Sequence, residues 1–275
     1  MAQIVLGMAS SHAPQLAMPP DQWRAYGDRS RTLPEHWFQG KTYSYPDLVE
    51  ARAEEHLDRE CTDEKFQARF DACQKAIAHL SDTLARVSPD VCVIFGDDQH
   101  EVFNDDNIPA LAIFYGETMD DAPRQNELRD RTIDNSPTER ITQPGHPDLG
   151  QHLIETLSAG DFDLTRTKVL PQGRLNGAIG HAFYYVYRRL MDNKALPNVP
   201  VMVNTYYPPN VPSAARCYKL GQAVREAIEA WDSDARVALF ASGGLSHTVI
   251  EEELDARILD GLVNDDVVKL TDYPD

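Results

Sequence analysis

The stretch VCVIFGDDQHE, residues 91–101, decides the fold. Its first half is a continuous run of apolar and β-branched residues, which predicts a strand that is buried on both faces. After Gly96 the run changes to acidic and amide side chains, which predicts a loop at the carboxyl end of that strand. Strands of this kind belong to sheets that helices cover, so the neighbouring segments are expected to be helical.

The segment before this strand carries the clearest helical period in the chain. Its apolar residues recur at steps of four and three from Phe66 to Val87, with Thr62 as the N-cap and Pro89 as the stop. The other predicted helices cover residues 47–60, 178–191, 213–231 and 250–263, and one begins at Pro147. The other predicted strands cover residues 4–8, 110–115, 164–170, 199–206 and 236–241.

Strands that alternate with helices require crossover connections. The sequence therefore predicts an α/β layered sandwich, with a largely parallel central sheet covered by helices on both faces. No repeat or linker is visible, so we expect a single domain over residues 1–275. Residues 17–46 have no clean period and are rich in proline and aromatic residues, which favours a long aromatic loop. Such a loop is either a lid over a binding site or a surface excursion that packs on the core.

Composition excludes several classes of function. The net charge of −18 argues against nucleic acids and anionic membrane surfaces as partners. The four cysteines include no C-x-x-C pair, which is typical of reduced thiols in a cytosolic protein. The N-terminus lacks a basic region, and its apolar run is too short for a signal peptide or a membrane span. We therefore expect a cytoplasmic protein.

Polar side chains follow three of the predicted strands. In sheets of this class the ligand site lies beyond the carboxyl ends of the strands, so these segments are expected to form a site. No dinucleotide, P-loop or hydrolase-elbow motif occurs. The three polar segments are residues 10–12, 96–101 and 243–247.

His12, His100 and Glu253 are candidate metal ligands. His12 directly follows the first strand, where a neutral imidazole suits iron or zinc, although backbone groups can also satisfy such a histidine. His100 stands among carboxylates, which indicates either a metal site or a solvated acidic loop. Glu253, taken alone, is an ordinary helix glutamate.

Three further histidines can each be interpreted as structural or as functional residues. His146 precedes a proline at a helix start, where it can cap the helix. His181 lies in an aromatic helix, where packing is the default and a base facing a pocket is the alternative. His247 follows a Gly-Gly turn and is either an acid–base group or a residue that binds the backbone.

The chain resembles the class III extradiol ring-cleavage dioxygenases, of the catalytic β-subunit type of protocatechuate 4,5-dioxygenase. The matching segments run in the family's order along most of the chain. They are SSHAP from Ser10, PDVCVIFGDDQHEVF from Pro89, GHPDLGQHL from Gly145, VNTYYPP from Val203, RCYKLG from Arg216, SGGLSH from Ser242 and EELDARILD from Glu252.

The resemblance implies a non-heme Fe(II) site with two histidines and one carboxylate, with zinc or manganese as alternative metals. It implies His12 as the first histidine ligand and Glu253 as the carboxylate. It also implies His146 near the site and His247 in a pocket segment. The expected substrates are a catechol- or gallate-like aromatic acid and O2, and the expected assembly is a homo-oligomer or a complex with a small partner subunit.

The chain departs from the family at two positions. Gln99 stands opposite the second ligand histidine, and His100 comes one residue later. His100 can bind a metal only if the loop bulges or turns. Otherwise Gln99 offers a weak amide oxygen as ligand, or the site is crippled. Asn176 stands opposite the acid–base histidine, and an amide cannot shuttle protons near neutral pH. His181, about one helical turn further on, is the nearest substitute.

The resemblance also implies a longer chain than one that ends at Asp275, so a wall of the pocket can be missing. Two alternatives to the dioxygenase remain. One is a metal-dependent hydrolase or lyase on the same fold, and the other is a non-catalytic homologue.

Overall fold

The computed structural model describes residues 1–123 and 130–272. The chain divides into two compact units. Unit 1 comprises Met1–His12, Ile77–Arg124 and Asn135–Gly243, and unit 2 comprises Ala13–Ala76, Gln125–Asp134 and Gly244–Asp275. The prediction of one domain over residues 1–275 stays a prediction. The chain end at Asp275, on which the expectation of a missing pocket wall depends, lies outside the described residues.

The elements are numbered along the chain. The strands are β1 (Gln3–Ser10), β2 (His36–Phe38), β3 (Lys41–Tyr43), β4 (Val91–Asp97), β5 (Leu111–Phe114), β6 (Thr118–Asp121), β7 (Ile141–Pro144), β8 (Thr165–Thr167), β9 (Asn198–Val203) and β10 (Arg236–Ser242). The helices are α1 (Trp23–Ser30), α2 (Tyr45–Ala51), α3 (Asp63–Val87), α4 (Arg131–Asp134), α5 (Pro147–Ala159), α6 (His181–Arg189), α7 (Ala214–Ala230), α8 (Glu252–Asn264) and α9 (Val267–Thr271).

The central sheet of unit 1 has six strands in the order β1-β10-β4-β9-β5-β8. The first four are mutually parallel, whereas β5 runs antiparallel to β9 and carries β8 parallel to itself. The predicted largely parallel α/β sheet is confirmed. The reversed direction of β5 and β8 was not predicted, because alternation of strands and helices does not determine the direction of an individual strand.

Helices pack on both faces of this sheet, as predicted. Leu153 of α5 and Val224 of α7 share a buried apolar cluster with Val91 and Val93 of β4. Successive side chains of a strand point to opposite faces, so Gly96 belongs to the other face. There a Cβ atom at Gly96 would lie 2.6 Å from the Cβ atom of Ala182 in α6. This close approach brings the start of α6 onto the end of β4.

The register of three parallel strands aligns their carboxyl ends. Ser10 of β1 pairs with Ser242 of β10, which pairs with Gly96 of β4. The residues that follow these three therefore leave the sheet at one edge. This arrangement confirms that the segments at residues 10–12 and 96–101, together with the end of β10, meet there.

Unit 2 contains the segment that was expected to be a long aromatic loop. Residues 17–46 instead include helix α1 and a hairpin of β2 and β3. Trp23 of α1 packs against Phe66 of α3, with ring centroids 5.6 Å apart. The loop prediction was wrong because elements of three to eight residues are too short to show a period, and tertiary packing stabilises them.

The described residues include no helix that is long and apolar enough to cross a membrane. All four cysteines are free. Cys92 is fully buried in β4, and burial raises the pKa of its thiol to about 12.

Candidate metal centre

His12, Asp97 and His181 converge at the carboxyl edge of the sheet in unit 1. Among the described residues, they form the group of potential ligands whose atoms all lie within 4.8 Å of one another. The Nε2 atoms of the two histidines are 3.1 Å apart, and Asp97 Oδ1 lies 3.5 Å from the first and 3.7 Å from the second. The three side chains are only 9%, 11% and 14% exposed.

Each of the three residues reaches the centre from the end of a different element. His12 lies two residues beyond β1, Asp97 is the last residue of β4, and His181 is the first residue of α6. Gly180 is the N-cap of α6, and a Cβ atom there would lie 3.0 Å from Glu101 Oε2. The absence of a side chain at Gly180 thus makes room for the acidic loop beside the helix start.

Each converging side chain is held by a neighbour. His12 Nδ1 lies 3.2 Å from Ser242 Oγ, and Gln99 Nε2 donates to Asp97 Oδ2 at 3.0 Å. Glu101 Oε2 accepts from the backbone N–H of His181 at 2.7 Å and lies 2.6 Å from its Nδ1. Histidines that ligate metals usually bind a carboxylate or another polar group through the second ring nitrogen, so both imidazoles have the environment of a ligand.

The donor set fits a divalent cation. Asp97 Oδ1 is buried and accepts no hydrogen bond from any described residue, and a buried carboxylate oxygen is costly unless a positive charge balances it. Two donors that each lie about 2.1 Å from one cation, at about 90° to each other, are about 3 Å apart. The separation of 3.1 Å between His12 Nε2 and His181 Nε2 meets that requirement, whereas the separations of 3.5 and 3.7 Å from Asp97 Oδ1 correspond to wider angles at the cation. Two imidazoles and one carboxylate are the donor set of non-heme Fe(II) sites.

Asp98 organises the acidic loop rather than the centre itself. Its two carboxylate oxygens accept the backbone N–H groups of Glu101, Val102 and Phe103 at 2.8 to 3.1 Å. Burial raises the pKa of the Asp98 carboxyl, and these backbone hydrogen bonds oppose that shift. The loop is therefore pinned in the turn that presents Glu101 to α6.

Among the described residues, His100 does not belong to the three-residue group, and Gln99 contacts that group through Asp97. Gln99 was expected to offer its amide oxygen, but its amide nitrogen binds Asp97. The loop does turn at His100, which has a left-handed backbone with φ of 55°. Its ring nevertheless stacks on Tyr207, with centroids 3.6 Å apart and planes at 3°. His100 and Tyr207 line a pocket with Asp98, Phe103, Ile108, Pro109, Met202, Val203 and Asn204.

His146 lies at the opposite edge of the sheet from Asp97, and Asn176 lies in an exposed turn. His146 caps α5, because its Nδ1 accepts from the N–H of Leu149 at 3.2 Å. The preceding Gly145 pairs with Asn198, the first residue of β9, so His146 stands at the edge of the sheet opposite Asp97. Asn176 is exposed in a turn with a left-handed backbone, φ 51°. His181, the expected substitute for its acid–base role, lies in the centre.

Glu253 and His247 belong to unit 2. Glu253 is an exposed residue in the first turn of α8. His247 is exposed, and its Nδ1 lies 3.0 Å from the hydroxyl of Thr248. Their expected roles stay predictions.

Sequence reasoning missed Asp97 as a ligand candidate and Glu101 as the hydrogen-bond partner of His181. The signal was present, because carboxylates cluster directly after β4. The sequence does not determine which of these carboxylates faces the centre. That depends on the turn that Asp98 stabilises through its hydrogen bonds and on the position of α6.

A family model described as the catalytic LigB subunit of aromatic ring-opening dioxygenase matches residues 58–272. The chain belongs to this family. The match covers the acidic loop with Asp97 and the start of α6 with His181. Membership of the LigB family agrees with the resemblance that the sequence motifs carry.

Two curated relatives of this LigB chain are dioxygenases by name. A gallate dioxygenase of Pseudomonas putida is 37% identical over 131 residues, which is 44% of this chain and 36% of that protein. A 2,3-dihydroxyphenylpropionate/2,3-dihydroxicinnamic acid 1,2-dioxygenase of Photorhabdus laumondii subsp. laumondii is 25% identical over 175 residues, 63% of this chain and 48% of that protein. The alignments thus span about a third and about half of the length of these relatives.

Proposed function

We propose that this protein is a non-heme Fe(II)-dependent extradiol dioxygenase that opens the ring of a catechol- or gallate-like aromatic acid. The observation that carries the proposal is the convergence of His12, Asp97 and His181 in a chain of the LigB family. The names of the two relatives support an aromatic diol as substrate. When bound at this centre, Fe(II) would supply the exchange of electrons between an aromatic diol and O2.

The side chains of the centre would bind the metal and exclude bulk water from it. The Nε2 atoms of His12 and His181 and the Oδ1 atom of Asp97 would bind the metal. Ser242 and Gln99 orient the first histidine and the carboxylate. Because these side chains are nearly nine-tenths buried, little bulk water reaches the donors, which strengthens their electrostatic interaction with a cation.

The acid–base group is an alternative role for His181, which excludes the ligand role because both use the Nε2 lone pair. A carboxylate on Nδ1 raises the basicity of Nε2, as in other carboxylate–imidazole pairs. Glu101 makes that contact at 2.6 Å. A His181→Gln variant that keeps its metal but loses turnover would assign this alternative role, whereas loss of the metal would assign the ligand role.

The pocket that contains His100 and Tyr207 has a cavity volume of about 10 Å³, room for about one water molecule, so an aromatic ring would enter it only when its walls move apart. It begins at Asp98, one residue from Asp97, and Phe103, Met202 and Tyr207 supply apolar and aromatic walls. Aromatic rings pack favourably against such walls. We propose that the substrate ring approaches the centre from this pocket.

The test is oxygen uptake by protein that has been loaded anaerobically with Fe(II). Gallate, protocatechuate and 2,3-dihydroxyphenylpropionate form the substrate panel, and His12→Ala is the matched inactive control. Uptake of O2 with ring opening by the parent protein is the expected result. Turnover of a substrate without O2 would instead favour a metal-dependent hydrolase or lyase, and no binding of any divalent metal would favour a non-catalytic homologue.

The resemblance supplies the rest of the proposal. It implies Glu253 as a further carboxylate ligand, which Glu253→Gln tests by the same metal titration. It also implies a homo-oligomer or a small partner subunit, and composition favours a cytoplasmic location. Measurement of the mass of the native assembly in solution tests the oligomer.

A further inference from the structure

Glu101 makes two hydrogen bonds to one histidine through a single oxygen. Its Oε2 atom accepts the backbone N–H of His181 at 2.7 Å and contacts the Nδ1 atom of the same residue at 2.6 Å. The Glu101 side chain is only 12% exposed. The contact joins the acidic loop to the first residue of α6, where the free N–H groups of a helix favour a carboxylate.

The two histidines of the centre differ in what their Nδ1 atoms face. His12 Nδ1 faces the hydroxyl of Ser242 at 3.2 Å, and a hydroxyl can either donate or accept. His181 Nδ1 faces the Glu101 oxygen that already accepts the backbone N–H of the same residue, so this oxygen acts as a hydrogen-bond acceptor. Ser242 therefore tolerates both neutral forms of His12, whereas Glu101 favours the form of His181 that has its proton on Nδ1.

We propose that Glu101 is the positioning residue that keeps the Nε2 lone pair of His181 directed at Asp97 and His12, an inference that rests on the proposed metal centre. With the proton on Nδ1, Nε2 has an unshared pair and no hydrogen. That atom lies 3.1 Å from His12 Nε2 and 3.7 Å from Asp97 Oδ1. A proton on Nε2 would point into the space between these donors and would have to leave before a cation could bind.

Neighbouring residues of the acidic loop have different roles in the contact between Glu101 and His181. Asp97 faces the centre, Asp98 accepts the backbone N–H of Glu101 at 3.1 Å, and Glu101 reaches α6. Gly180 leaves the space that the carboxylate occupies, since a Cβ atom there would approach Glu101 Oε2 to 3.0 Å. The stretch DDQHE thus supplies a donor, a turn and a positioning carboxylate within five residues.

Three variants of the full chain separate geometry from charge. Glu101→Ala removes both hydrogen bonds. Glu101→Gln keeps them, because the backbone N–H of His181 can only donate and so holds the amide oxygen in the place of Oε2. Glu226→Ala is the control, since Glu226 is an exposed glutamate on α7.

Two measurements are made on each variant. Nitrogen-15 NMR of the imidazoles in the metal-free chain reports which ring nitrogen of His181 is protonated, and His181→Gln assigns the signals. Competition titration with Zn(II) reports metal affinity. We expect Glu101→Ala to lose the Nδ1–H form as the dominant state and to bind Zn(II) about 10- to 100-fold more weakly, the usual cost of removing a partner behind a ligand histidine. Glu101→Gln should restore most of both properties, and Glu226→Ala should match the parent.

Two results would overturn the proposal. One is a Glu101→Ala variant in which His181 keeps its proton on Nδ1, and the other is a Glu101→Gln variant that is as impaired as Glu101→Ala. If the three residues do not form a metal centre, the parent and His12→Ala will bind Zn(II) with equal affinity. The NMR measurement will still report whether Glu101 determines which ring nitrogen of His181 is protonated, so the two failures can be told apart.

Discussion

His146 and His181 both follow a glycine at the start of a helix, yet they have different chemistry. His146 uses its own Nδ1 to accept the N–H of Leu149, so this nitrogen carries no proton and the ring serves the helix that it begins. His181 meets a carboxylate from another segment, so its Nδ1 donates and its Nε2 turns towards Asp97. The two helices begin at opposite edges of the same sheet.

The difference shows that the role of a helix-start histidine is decided by what reaches it from elsewhere in the chain. Glu101 reaches α6, whereas His146 packs edge-on against Trp231, with ring centroids 5.5 Å apart. A glycine followed by a histidine is the same local signal in both places. The partner, and therefore the function, depends on the tertiary fold.

The largest expected difference is in Zn(II) affinity between the His181→Ala and His146→Ala variants. His181→Ala removes a donor of the centre, and we expect Zn(II) affinity to fall by more than about 100-fold, beyond the cost of losing an outer partner. His146→Ala should bind Zn(II) as the parent does. Competition titration with a chromophoric chelator measures both. Equal losses in the two variants would contradict the separation of roles.

The glycines that precede the two histidines should also respond differently. A Cβ atom at Gly145 would lie 2.1 Å from the backbone oxygen of Gly116, which cannot move away easily. We expect Gly145→Ala to lower the free energy of unfolding by about 1–3 kcal/mol or more, as overpacking does, with metal affinity unchanged in the folded fraction. Urea denaturation measures the loss.

At Gly180 the new Cβ atom would meet the end of a flexible side chain, Glu101 Oε2 at 3.0 Å. We expect Gly180→Ala to cost less stability than Gly145→Ala. Its Zn(II) affinity should instead fall about 10-fold, because the carboxylate behind His181 is displaced. If Gly180→Ala unfolded the chain but spared the affinity of the folded fraction, the assignment of Glu101 would be wrong.

His100 and Gln99 sharpen the comparison within the acidic loop. Gln99→Ala removes the hydrogen bond to Asp97 Oδ2, so we expect about a 10-fold loss of Zn(II) affinity. His100→Ala should leave that affinity within about threefold of the parent, because its ring stacks on Tyr207. Its effect should fall on the KM for the aromatic substrate. If His100→Ala bound Zn(II) much more weakly than the parent, His100 would be a metal ligand.

The sequence predicted the layers of the fold and the edge at which the site lies. The apolar run of β4 and the stripe of α3 are local signals that burial enforces. The position of His12 after β1 left a ligand and a histidine bound to the backbone both open, and only the family resemblance implied the ligand. Asp97, Glu101 and the orientation of His181 could not be chosen. They depend on the turn that Asp98 closes and on the contact of Gly96 with Ala182, and neither has a period or a spacing in the sequence.

The smallest effect should separate a cap from a catalytic group at His146. His146→Ala removes the acceptor for Leu149 N–H, and loss of such a cap costs about 0.5–2 kcal/mol. His146→Asn should recover most of this free energy of unfolding, because asparagine is a strong N-cap. Both variants should take up O2 with aromatic diols at the rate of the parent once they are folded and loaded with Fe(II). The resemblance to the family implies that His146 lies near the site, and would therefore predict a loss of O2 uptake in both variants. The capping role predicts that O2 uptake is kept in both and that only His146→Asn recovers the free energy of unfolding. The structure favours the capping role, because α5 begins at the edge of the sheet opposite Asp97.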